Sequence, residues 1–242
     1  MEIHHPHHPA HKKKWSEYIL EFFMLFLAVT LGFFAENIRE KMAEEEKSKQ
    51  LIEVVAKDLK SDITQMKMIR ENEAEKIKLS DSLKNFLNAN PKTIDQQAYY
   101  RVLVNYGIFL ILNTNDKSRS EAETKGYFLK EENKELANYI KQYNFWLNDY
   151  NSLEKLSMDQ LKIFLYTNIP KITDPEVFDN QWRYPPKPIE PKIGIAPIKP
   201  EAIRDTKYLL SDTKMIMDGF ISDIDSMTFY ANKAIDLIEK HK

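Results

Sequence analysis

Between Tyr18 and Ala35 the chain reads YILEFFMLFLAVTLGFFA, and from Phe22 onward fourteen residues carry no charge. Eighteen helical residues span about 27 Å, close to a hydrocarbon core of about 30 Å. Trp15 and Tyr18 stand at its near end, where amphipathic aromatics anchor at the headgroups. The pattern predicts one transmembrane helix over residues 15–38. A cleaved signal peptide fits less well, because the apolar run passes through Phe33-Phe34-Ala35-Glu36 into a helix-forming stretch without a small-x-small site. A buried core helix of a soluble protein is the other bland reading.

Past the span no Pro or Gly interrupts the chain until Pro91. Leu51, Val55, Leu59, Ile63, Met66, Ile69, Ile77, Leu83 and Leu87 recur at steps of three and four, with a gap near Glu73. This is one amphipathic stripe, and Asn90-Pro91 ends it. Thr93 or Asp95 is placed to cap a second helix through YYRVLVNYGIFLIL, with Gly107 as a point of rupture. Ser118 or Ser120 would cap a short third helix closed by Gly126. A fourth stretch, residues 130–168, has its stripe at Leu136, Ile140, Tyr143, Leu147, Tyr150, Leu153, Leu161 and Phe164.

Residues 170–200 read as a proline-rich linker, with Pro170, Pro175, Pro185, Pro186, Pro188, Pro191, Pro197 and Pro200; Trp182 and Tyr184 would pin it to the helices. A last helix over residues 201–239 places Tyr208, Leu209, Ile216, Phe220, Ile224, Met227, Ala231, Ile235 and Ile238 on one side. Long amphipathic helices bury their stripes against one another. The expected fold is therefore all-α: a single N-terminal transmembrane helix continuing into an antiparallel helical bundle. Its expected parts are a His- and Lys-rich tail (1–14), the span (15–38), a bundle (39–169), the linker (170–200) and a C-terminal helix packed on the bundle (201–242).

Composition narrows the function more than the fold. Lys and Arg total 35 against 37 Asp and Glu, so no global basic footprint points to nucleic acid. No cysteine is present, which removes disulfides and thiolate chemistry. Five glycines in 242 residues include no phosphate-cradling loop. His4, His5, His7, His8 and His11 crowd the N-terminus, but Pro6 and Pro9 prevent a helix from presenting them at fixed spacing. The tract reads as a tail with adventitious metal affinity. The remaining histidine is His241, which leaves no Ser-His-Asp arrangement or His-based metal site in the bundle. Acidic pairs such as Asp58 with Asp62 and Asp223 with Asp225 read as solvated faces. The expectation is a protein that is not an enzyme and needs no cofactor.

Lys12, Lys13 and Lys14 cluster before the span, while Glu36, Glu40 and Glu44–Glu46 dilute the cations after it. The positive-inside rule then places the N-terminus in the cytoplasm and the bundle outside. Within the span, Glu21, Leu25, Ala28, Gly32 and Ala35 share one helical face, and Ala28 with Gly32 would let another helix approach closely. Expected partners are the lipid bilayer and a membrane protein or a second copy of the chain.

The chain from Glu21 through LIEVVAKDLKSDITQM, and above all SEAETKGYFLKEENKELANYIKQY, resembles a family of Gram-negative bacterial single-pass membrane proteins defined only as a domain of unknown function. That element reads as a Ser, a small-residue helix, a Gly, Asn-x-x-Leu and Ile-x-x-Tyr. Here it falls on Ser120, Gly126, Asn133, Leu136, Ile140 and Tyr143. The likeness covers residues 15–168 and implies a bacterial inner-membrane protein with a periplasmic domain, without implying any chemistry. Two functions then compete: a structural or accessory subunit of an envelope complex, favoured, and a periplasmic sensor or ligand-binding module that signals through a partner.

Overall fold

The computed structural model describes residues 14–182 and 194–240, and the described residues are helical with no strand. Helix α1 runs from Trp15 to Asn88 without a break; it contains no Pro, and its one glycine, Gly32, is accommodated within the helix. The chain divides into two units, Met1–Gln50 and Leu51–Lys242.

In the first unit every described residue from Trp15 onward belongs to α1, and each apolar side chain from Trp15 to Met42 is exposed. Thr30 donates its hydroxyl to the Phe26 carbonyl 2.8 Å away, which satisfies the one hydroxyl inside the uncharged run.

The second unit holds the remainder of α1, α2 (Gln96–Tyr106), α3 (Lys117–Thr124), α4 (Lys134–Ile163), α5 (Ile169–Ile172), α6 (Pro175–Trp182) and α7 (Pro200–Lys240). Local chemistry sets most of these boundaries. Asn90 accepts from Lys92 N–H and starts a 3-10 turn at Pro91. The Asp95 carboxylate accepts from the N–H groups of Gln97 and Ala98, making it the N-cap of α2. Gly126, at φ 71°, supplies the left-handed residue just beyond α3.

Several expectations fail in instructive ways. The second helix stops at Tyr106, at the break Gly107 allows, but the apolar run beyond it forms an irregular strap as far as Asp116 instead of further helix. Side chains hold the strap in place of helical hydrogen bonds. Gln65 both donates to the Asn113 carbonyl (3.0 Å) and accepts from its N–H (3.2 Å), while Glu154 accepts from Leu112 N–H (3.5 Å). Neither Ser118 nor Ser120 is the N-cap of α3; that position is Asp116, and Ser118 instead donates its hydroxyl to Asp58.

The proline-rich linker is also partly helical. Pro170 lies in the first turn of α5 and Pro175 opens α6, positions where a missing N–H costs nothing. Asp174 accepts from Glu176 and Val177 N–H and so caps α6. A five-residue π turn, Phe164–Asn168, joins α4 to α5. The expected anchoring by Trp182 and Tyr184 rests on side chains outside the described residues. Where the chain is described again, Gly194 and Ile195 donate to the carbonyls of Ile94 and Pro91. Gly194 adopts φ +100° and a Cβ there would lie 3.2 Å from the Pro91 oxygen, so only glycine suits the approach.

Polar contacts between α1 and α7 follow an ordered ladder. Lys60 meets Glu239, Arg70 meets Asp225, Ser80 reaches the Leu210 carbonyl, and Asn88 meets Lys207. Ascending positions on α1 thus pair with descending positions on α7. On α7, Ile216, Phe220, Ile224, Met227, Ala231, Ile235 and Ile238 are buried as expected, whereas Tyr208 is 72% exposed and does not belong to the stripe.

Candidate functional site

Besides Ala56, which flanks Val55, the buried positions of α1 in the second unit are Val55, Leu59, Asp62, Met66, Ile69, Glu73, Lys76, Ser80, Leu83 and Leu87. From Val55 to Leu87 these ten alternate at steps of four and three, the seam of a coiled-coil-like packing. Four of its positions are polar. The gap in the apolar pattern is therefore filled by Glu73, Lys76 and Ser80, and Asp62 takes the place expected of Ile63, which is only partly buried.

Around Asp62, 1% exposed, three elements converge. Arg119 of α3 donates from Nη1 to Asp62 Oδ2 at 3.1 Å, and Tyr143 of α4 donates its hydroxyl to the same oxygen at 2.8 Å. The guanidinium lies 4.9 Å from the Tyr143 ring centroid, adding a cation–π contact. One turn earlier, Asp58 accepts from Ser118 Oγ (2.5 Å) and from Asn115 Nδ2 (3.1 Å). Burial holds the Asp62 carboxyl above its usual range despite the Tyr143 and Arg119 contacts that pull it down. The Tyr143 hydroxyl is raised by burial and, beyond that, by the Asp62 charge. Asp62 Oδ1 and the Nε and Nη2 of Arg119 have no protein partner, so pairing only partly offsets desolvation.

Farther along the seam Lys76 Nζ binds Glu73 Oε1 at 3.0 Å, both side chains almost fully buried, and Phe109 of the strap places its ring 4.8 Å from Nζ. Desolvation raises the Glu73 pKa and lowers that of Lys76. On α7, Asp223 is 3% exposed and its Oδ2 has no partner. Burial, and then the Asp149 charge, push its carboxyl up to about 6. Asp62 and Asp223 thus contradict the reading of these acidic pairs as solvated; Asp225, by contrast, is exposed and paired with Arg70.

The residues singled out in the span, Glu21, Leu25, Ala28, Gly32 and Ala35, all lie on α1 and are exposed. A Cβ added at Gly32 would meet nothing within 4 Å. The histidine tract His4, His5, His7, His8 and His11 lies outside the described residues. Among the described residues no group of three or more His, Cys, Asp or Glu is placed to hold a metal ion. An open groove of about 520 Å³ runs beside the π turn, with Thr167, Lys171, Asp205, Tyr208 and Asp212 among its lining.

The class these features define is an all-helical protein with one long N-terminal helix, apolar and long enough over one stretch to cross a membrane. No protein-family model, curated protein or solved structure matches the chain.

Two predictions follow from the buried charges. Arg119→Met leaves Asp62 uncompensated in the core and should destabilise the folded state by about 3–5 kcal/mol, while adding Asp62→Leu should restore most of it. Denaturant melts of the three proteins in detergent measure both effects. Asp223 has its folded-state pKa raised, so its ionised form penalises the fold, and stability should rise as pH falls through about 6. Asp223→Asn should therefore add about 2 kcal/mol at pH 7.5 and progressively less below pH 6, read from melting curves across that range.

Proposed function

We propose that the chain is a single-pass protein of the bacterial inner membrane, with a cytoplasmic N-terminus and a periplasmic antiparallel helical bundle. It serves as a non-enzymatic structural or accessory subunit of an envelope complex. The observation that carries this reading is the exposure of every apolar side chain from Trp15 to Met42, including five phenylalanine and leucine residues from Phe22 to Leu27 interrupted only by Met24. Such a surface is unfavourable in water and suits a hydrocarbon environment. The Lys12–Lys14 cluster supports the orientation.

The non-enzymatic reading rests on the sequence, which lacks histidine between His11 and His241, and on the use made of buried charges. Asp62, Arg119 and Tyr143 bind one another and so join α1, α3 and α4, while Glu73 and Lys76 pair with each other within α1. Docking to a membrane partner, or to a second copy, would use the Glu21, Leu25, Ala28, Gly32 and Ala35 face. At Gly32 the surrounding space is open within this chain, so a larger residue tests contact with another helix without disturbing the chain's own packing.

The test is purification in mild detergent from the native host, with mass spectrometry of what co-purifies. Gly32→Leu should reduce recovery of the membrane partner or of self-associated protein, whereas Phe23→Leu should not. Unchanged recovery in Gly32→Leu would make the span a lipid-facing anchor alone. A C-terminal reporter fusion active only in the cytoplasm would overturn the orientation.

A further inference from the structure

The interior of the second unit contains two separate apolar cores. One joins Val55, Leu59, Met66 and Ile69 of α1 to Tyr143 and Tyr150 of α4 and to Ile216, Phe220, Ile224 and Met227 of α7. The other joins Leu83 and Leu87 of α1 to Tyr99 and Leu103 of α2, Phe164 of the π turn, Ile169 and Ile172 of α5, and Ala202, Leu210 and Met217 of α7. Between them α1 turns polar inside at Glu73, Lys76 and Ser80, and α4 at Ser157, all buried; on α7 the buried Thr213 lies one turn before Ile216 and Met217, where the two cores meet. Unpartnered buried oxygens gather on the same stretch, at Glu73 Oε2, Asn72 Oδ1 and Gln160 Oε1.

We propose that this polar belt is a built-in parting plane, at which the core containing α2 and α5 opens while the core of α1, α4 and α7 stays folded. Apolar burial is cooperative because it is contiguous; the belt interrupts that contiguity with an ion pair whose members satisfy mainly each other. The α2 side is the weaker one. Its helices α2 and α5 have 11 and 4 residues and lean on a π turn, and helices so short are marginal without packing. The other side is built from long helices and is tied across α1, α3 and α4 by Asp62, Arg119 and Tyr143. The irregular strap from Gly107 to Asp116 crosses the belt, with Phe109 over Lys76, and gives the chain slack where the two sides part. The inference goes beyond the role in an envelope complex and holds whether or not that role does.

Hydrogen exchange followed by mass spectrometry on the full-length protein in detergent tests it. Amides of residues 83–106 and 202–210 should exchange at least about tenfold faster than those of residues 55–69 and 220–238, as expected for separate opening units. Replacing the pair by apolar residues, Glu73→Leu with Lys76→Leu, should join the cores and bring the two sets within about threefold of each other. Thr213→Val, a smaller change on the same belt, should narrow the gap in the same direction and serves if the double variant does not fold. Equal exchange of the two sets in the unaltered protein, or a gap unchanged in Thr213→Val and in any folded double variant, would overturn the proposal.

Discussion

A single seam on α1, from Val55 to Leu87, organises the folded unit. Its four-three alternation continues through positions that are apolar and positions that are charged, so what it specifies is geometry first and hydrophobicity second. The apolar positions supply the driving force. The polar ones add direction, because Asp62 is satisfied only where Arg119 and Tyr143 can reach it, and Ser80 finds the Leu210 carbonyl only in one register of α7. Buried ion pairs contribute little net stability after desolvation, yet breaking one is expensive. That asymmetry makes them better suited to excluding wrong arrangements than to strengthening the right one.

The long helix was readable because nothing in 74 residues could stop it. The Asp95 cap and the Gly126 terminator were equally legible, since each rests on a local backbone requirement. Counting apolar residues alone does not recover the seam, because it selects Ile63 over Asp62 and leaves a gap at Glu73. Keeping the four-three spacing strict, irrespective of residue type, would have pointed to Asp62, Glu73, Lys76 and Ser80. The break at Gly107 is legible in the sequence, but the path of the strap is not, as Ile108 to Leu112 has a helix-like apolar content yet is held by Gln65 and Glu154 from other helices. Proline density was likewise a poor guide at Pro170 and Pro175, which open helices instead of breaking them.

The two units put hydrophobicity to different uses. In Trp15–Gln50 apolar side chains face outward, the pattern of a segment whose solvent is lipid. In the unit that begins at Leu51 they face inward, and charge is drawn in beside them. Among the described residues the buried Asp62 aims at Arg119 and Glu73 at Lys76, whereas Asp223 keeps an unpartnered oxygen. The tie through Asp62 is why a joining role in a membrane assembly is the reading we favour over chemistry.

The central claim, that the α1 seam holds α7 in one register, has a direct test because the chain contains no cysteine to confuse it. Cysteines introduced in place of Arg70 and Asp225, whose side chains meet at 2.7 Å, should be joined efficiently by a short bismaleimide in the full-length protein in membranes. A pair displaced by one heptad, at Arg70 and Asp218, should not be joined. Efficient linkage of the displaced pair, with little or none between positions 70 and 225, would contradict the account.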